Sequence, residues 1–268
     1  MAYPHIRYRT WAALILLAAM AAGFSALGRW QLDRAAGREA IKAAIVAGRS
    51  QAALNVTADT PRQDLVAWRP AEARGIWLPA LTILLENRNY QGRPGYWIAT
   101  PLKLPDPAGT AVLVLRGWIP RPMGPGQALQ DIPTPDGEWT VPGQLMDRAP
   151  RLFELWSFSD NGTQLPARLP DAQRPLPRVQ NVDIGDFARA SGLKLVPVVL
   201  AQTAPARSAD GRPDVADTLA REWPEPSVDA DQNRGYALQW FGFASIAAIA
   251  WLIIFWRALR RRTKPDQS

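Results

Sequence analysis

The sequence predicts two transmembrane α-helices flanking a mainly antiparallel β domain, an open sheet or small barrel of α+β type. Three observations lead there. Two long apolar runs lie near the ends of the chain. Five short segments of β character fall between them, separated by turn residues. The excess positive charge lies outside the two runs. Of 31 Lys+Arg and 24 Asp+Glu, seven bases and one acid flank the runs, so the middle carries 24 bases against 23 acids. A net charge of +7 confined in this way predicts no nucleic-acid face.

The first run, Trp11 to Leu27, holds neither charge nor proline. It approaches the roughly 20 apolar residues that cross a bilayer. Its basic flank and the small residues Gly23, Ser25 and Ala26 also match a cleaved signal sequence, while its apolar length and flanks favour an anchor. Beyond it, Trp30, Ala35, Ile41, Ala44 and Ile45 keep helical spacing, which predicts a helix continuing to about Gly48 or Ser50.

The β segments are ARGIWL, LTILLENRNY, GYWIATPLKL, AVLVLRGWI and EWTVPGQLM, predicted to form an antiparallel meander. In Ala111 to Ile119, Val112, Val114 and Arg116 face opposite to Leu113, Leu115 and Gly117. Both sets are apolar up to Leu115, so this strand is covered on two sides. The Pro-rich stretch from Gly162 to Pro177 predicts nothing regular. VDIGDFARASGL reads as a short helix opened by Asp183 or Asp186 and closed by Gly192. LKLVPVVLAQT reads as a strand which Pro197 confines to an edge or a bulge. Ala204 to Asp217 and EWPEPSVDADQ read as loops.

The second run, Tyr236 to Trp256, has Gln239 as its one strongly polar side chain, carries aromatics at both ends and leads straight into Arg257, Arg260, Arg261, Arg262 and Lys264. These are the marks of a spanning helix with interfacial belts. Short basic flanks on both runs place both termini in the cytoplasm. The expected division is a tail over 1–10, helices over 11–28 and 236–256, a translocated domain over 29–235 and a basic tail over 257–268. In a bacterium the location is the inner membrane, with the domain in the periplasm.

The chain has no cysteine and one histidine, His5, ahead of the first run. Thiolate chemistry, a His-rich metal cage and a Ser-His-Asp triad are thereby excluded. Neither GxGxxG nor GxxxxGK occurs, so no phosphate-cradling loop is expected. Asp210, Asp214, Asp217, Glu222, Glu225, Asp229 and Asp231 read as a solvated acidic loop or a docking surface. No catalytic residue is expected.

What remains are two helix mouths and two strand motifs. Gly28, Trp30, Gln31 and Arg34 cluster at the first mouth, with Trp30 and Arg34 on one face. They read either as an interfacial anchor or as a polar and aromatic platform meeting the second helix. Asn233, Arg234, Tyr236, Gln239, Trp240 and Phe241 match them at the second mouth, and an amide at the depth of Gln239 is expected to face another helix or a ligand. Rings on both helices with Arg34 and Arg234 could hold an apolar anion such as a haem. RPGYW, with Gly95 and Tyr96, and RGWIP, with Arg116, Gly117 and Trp118, read as sheet punctuation with cation–π contacts or as a close-approach site.

In order, GRWQLDR, RPGYWIATPL, VLVLRGWIPR, VPGQL and YALQWFGFA resemble the Surfeit-locus family of cytochrome c oxidase assembly factors over nearly the whole chain. The resemblance implies a non-enzymatic membrane chaperone that assists maturation of oxidase subunit one where haem a enters it. It implies subunit one and haem a synthase as partners and haem a as a possible ligand. It marks Gly28, Trp30, Gln31 and Arg34, Gly95 and Tyr96, Arg116, Gly117 and Trp118, and Tyr236, Ala237, Trp240 and Phe241 as signature positions. Relatives proposed to bind haem carry a histidine just before the second-helix tyrosine; here the segment is DQNRGYALQW, with no histidine. Haem would then rest on ring stacking, arginine–propionate pairs or a weak ligand such as Met20. The rival functions are a membrane-anchored scaffold or sensor and a haem-modifying enzyme.

Overall fold

The computed structural model describes residues 4–124, 127–152, 165–173 and 176–262. It falls into two compact units, Met1–Ala43 with Pro226–Ser268, and Ala44–Glu225.

The first unit is a helix pair. One unbroken helix, α1, runs Pro4–Arg49, so the apolar run and the polar segment after it share one rod, and its last turn lies in the second unit. The absence of proline beyond Pro4 and the density of Ala, Leu and Arg permit that continuity. The returning helix, α3, runs Asp231–Arg262, starting five residues before the apolar run and ending beyond it. Both helices are long and apolar enough to cross a membrane.

The second unit is built on nine strands: β1 Leu54–Val56, β2 Pro70–Trp77, β3 Ile83–Tyr90, β4 Arg93–Lys103, β5 Ala111–Pro120, β6 Glu138–Met146, β7 Arg178–Val179, β8 Leu195–Gln202 and β9 Arg207–Ser208. Between β7 and β8 lies helix α2, Ile184–Ser191. The five predicted strands are present within a few residues of their expected ends. The short strands β1, β7 and β9 were not legible, being two or three residues long.

Five strands close into a small barrel in the order β2, β6, β8, β5, β4. The ring closes where Ile76 and Trp77 pair with Lys103 and Leu102. Most pairings are antiparallel, as expected, but only β3–β4–β5 is a meander. β8 inserts between β6 and β5 and runs parallel to β5, and the pairs β1–β2 and β3–β7 are also parallel. β8 is therefore central and not an edge. Ala111 pairs with Leu195 and Leu113 with Val199, so the strand bulges around Pro197, which is exposed and supplies no ladder hydrogen bond.

The two-sided burial expected for β5 is found. Val112 and Val114 join Ala73, Trp77, Leu102, Val141, Val198 and Leu200 in a cluster fed by all five ring strands, the barrel interior. Leu113 and Leu115 face a second cluster with Trp97, Trp118, Val199 and Phe187 of α2. The carboxylate of Asp183 caps α2 by accepting from the amides of Gly185 and Asp186, and Gly192 ends it in the left-handed conformation. Within the Pro-rich stretch, residues 162–164 and 174–175 lie outside the described residues; the rest carries neither helix nor strand.

Phe187 is fully buried. Phe187→Ala is expected to lower unfolding stability by about 3–5 kcal/mol, read as an earlier denaturant midpoint of the full chain in detergent.

Candidate functional site

The signature positions fall into two sets, one in each unit. In the helix pair, α1 and α3 run antiparallel and touch along one stripe from each. Gly28 lies under the ring of Phe241, where an added Cβ would come within 2.8 Å of ring carbons. Phe24 stacks on Trp240 at 5.7 Å and touches Phe243 at 5.8 Å. The Asn233 Nδ2 donates to Gln31 Oε1 at 2.6 Å. Ala35, Ala237, Ala244 and Ala247 are buried, small residues that let the helices approach. Farther along, Arg234 donates to Glu39 and, at 3.2 Å, to Asp231. Arg38 donates to the Asp229 carbonyl.

Trp30 and Arg34 do share a face, with the guanidinium 5.1 Å from the ring centre. That face does not meet α3. Positions 24, 28, 31 and 35 recur at spacings of three and four and form the inner stripe, so 30 and 34 fall beside it. Trp30 is 51% exposed and Tyr236 45% exposed. Gln239 is exposed as well, and the amide contact between the helices is made by Gln31 and Asn233 instead. The described pair thus has a packed inner seam and an outward set of Trp30, Arg34, Tyr236 and Gln239.

In the β unit, the loop and strand signatures are a packing device. Trp118 on β5 donates its Nε1 hydrogen to the Arg88 carbonyl at 2.8 Å and lies 5.2 Å from the Tyr90 ring. Its indole covers Gly95, where a Cβ would fall 2.3 Å from Trp118 Cε2 and 2.2 Å from the Ile119 carbonyl oxygen. The Trp118 amide donates to the Ala220 carbonyl at 2.7 Å, drawing the 219–220 segment over Gly117. Tyr96 is buried, with the Arg178 guanidinium 5.3 Å from its ring.

Arg116 sits at a register shift between β4 and β5, since Gly117 pairs with Ile98 and Leu115 with Ala99. It is 1% exposed. Its Nη1 donates to Thr134 Oγ1 at 2.8 Å, its Nη2 to the Pro133 carbonyl at 2.5 Å, and its guanidinium lies 4.7 Å from the Trp77 ring centre. Burial lowers its pKa from the ordinary guanidinium value, against the pull of the Asp217 and Asp214 carboxylates. Asp214 and Asp217 are accordingly buried and belong to no solvated loop. Asp217 accepts from Arg221 and, at 3.1 Å, from Gln202 Nε2. The buried Arg116 demands local negative charge, which these acids supply.

Arg88 was missed by the sequence reading. It lies inside LLENRNY on β3, is buried, donates to the Gln180 carbonyl at 2.9 Å and sits 4.4 Å from the Trp97 ring centre. Burial lowers its pKa to about 10, so it stays charged at neutral pH. The signal was an arginine flanked by strand formers and glycine-poor sequence, which a surface strand would equally show.

These groups can hold rings and anions. They present no acid–base pair set up for bond-making, and no cluster of three His, Cys, Asp or Glu suited to a metal occurs among the described residues. The outward set of the helix pair offers exposed rings and the Arg34 guanidinium, and it contains no imidazole. Met20 is 14 residues from Arg34, about 21 Å along the helix, too far for one porphyrin to use Met20 on its iron and Arg34 on its propionates.

Gly95→Ala is expected to destabilise the β unit by about 3 kcal/mol, because backbone lies on one side and an anchored indole on the other. Lower thermal stability with a shifted tryptophan emission would report it.

Comparison with curated proteins finds no match. The model of the SURF1 family matches residues 18–245, from within the first apolar run to within the second and across every motif described above. The chain belongs to the SURF1 family.

Proposed function

We propose that this chain is a membrane-bound assembly factor for cytochrome c oxidase that acts on subunit one at the step where haem a enters it. The family match carries the reading, because the SURF1 family is known for cytochrome c oxidase assembly. The site chemistry agrees with it: exposed rings and guanidinium groups at the helix mouths suit transient contact, and the buried polar groups serve packing. The action is that of a chaperone and not of an enzyme. On this reading Trp30, Arg34 and Tyr236 form the contact surface for subunit one or for haem a, and iron ligation is left to the client. Haem a synthase is the expected neighbour, as the source of the haem.

The same proposal places α1 and α3 across the bacterial inner membrane with both termini in the cytoplasm and the β unit in the periplasm. The basic flanks support this orientation. Because the chain has no cysteine, Arg212→Cys in the exposed 208–212 turn is expected to react with a membrane-impermeant maleimide added to spheroplasts. Arg260→Cys is expected to react only after lysis. The reverse pattern refutes the orientation.

A deletion strain is expected to lose oxidase activity and the haem a absorbance of the assembled enzyme. The wild-type gene restores both, and the double variant Trp30→Ala, Arg34→Ala restores them poorly while reaching normal abundance. Normal haem a content and full oxidase activity in the deletion strain would refute the function.

A further inference from the structure

We propose that the face of α3 turned away from α1 is a dimer seam, where a second copy of this chain packs parallel to it and the two Gln239 amides bond each other. The inference rests on the membrane reading given above.

Helix α3 has a filled side and an open side. Asn233, Ala237, Ala244 and Ala247 are buried on the side that meets α1. Half a turn away, Gly235, Gln239, Gly242, Ile246, Ile249 and Ile253 are all exposed, the three isoleucines by 66%, 57% and 47%. Nothing lies within 4 Å of where a Cβ would stand on Gly235 or Gly242. These positions alternate steps of four and three residues, the spacing of a left-handed two-helix seam.

Gln239 is the group that lipid serves badly. It lies three residues inside the apolar run that opens at Tyr236, and its amide has no hydrogen-bond partner among the described residues. A side-chain amide carries two donors and an acceptor oxygen, and hydrocarbon answers none of them. The polar pair of the inner seam is already made, since Gln31 accepts from Asn233. The partner of Gln239 therefore belongs to another helix.

Self-pairing decides which helix that is. A two-fold axis sets each residue against its own copy, so only groups compatible with themselves can line such a seam. None of the six carries a charge. A glutamine amide both donates and accepts, so two copies satisfy each other. Gly242 lies within one turn of Gln239 and lets the two backbones approach. Ile246 and Ile253 follow Gln239 at seven-residue intervals, and β-branched residues at that seam position with a single amide among them fix a parallel pair in one register.

Because the chain has no cysteine, single cysteines read the seam directly in the full chain. Gly242→Cys and Ile249→Cys, oxidised in native membranes, are expected to give disulfide-linked dimers, while Leu252→Cys, exposed but off the seam, gives few. With the Ile249→Cys chain in phosphatidylcholine vesicles of graded protein density, adding Gln239→Leu is expected to move half-maximal cross-linking to a roughly tenfold higher density. Gln239→Asn keeps most of the dimer. Leucine favours insertion, so the Gln239→Leu chain still enters the bilayer. Cross-linking strongest at Leu252→Cys, a dimer indifferent to Gln239→Leu, or Gly242→Cys linking mainly to a different polypeptide would each overturn the proposal. A chain that stays in solution without detergent overturns the membrane reading itself; a chain that inserts and remains monomeric overturns this proposal alone.

Discussion

Burying the guanidinium of Arg116 commits three other stretches of chain. Out of water the charge needs donors satisfied and countercharge nearby. Thr134 and the Pro133 carbonyl answer the first need from the 131–136 segment, the Trp77 ring covers the face from β2, and Asp214 and Asp217 answer the second from the segment after β9. Asp217 in turn fixes Arg221 and Gln202. Segments with no helix or strand to order them are thereby held against the barrel. The register shift at Arg116 has a second consequence: it swaps the faces of β5, so that Trp118 joins Leu113 and Leu115 while Ile119 joins Tyr96 and Ile98 on the other side.

Trp118 and Arg88 then form the complementary lock. The indole bonds the Arg88 carbonyl, and the Arg88 side chain crosses to Trp97 and to the Gln180 carbonyl. Gly95 is glycine because the indole occupies the place of its side chain. The loop and strand motifs are therefore two halves of one packing arrangement.

In the helix pair the division is between seam and surface. Gly28, Gln31, Ala237 and Phe241 are spent on holding the helices together. Trp30, Arg34, Tyr236 and Gln239 are left outward, with the Arg34 guanidinium against the exposed Trp30 ring. Two motifs adjacent in sequence thus do different work, separated by the 100° that each residue turns about the helix axis.

The sequence by itself determined whatever depends on local period and composition. The two apolar runs, the extension of α1 to its end at Arg49, the five main strands, the Asp183 and Gly192 ends of α2 and the basic termini were all legible, because each is written in neighbouring residues. Tertiary structure alone decided what depends on pairing between distant residues. That β8 enters the ring between β5 and β6, that Ile76 and Trp77 close it on β4, and that three pairings are parallel have no local signature. Nor could spacing show that Asp214 and Asp217 are buried, since an acidic run looks solvated until the arginines that require it are known. The inner face of α1 was equally hidden, because a helix with apolar residues all round does not say which stripe its partner will cover.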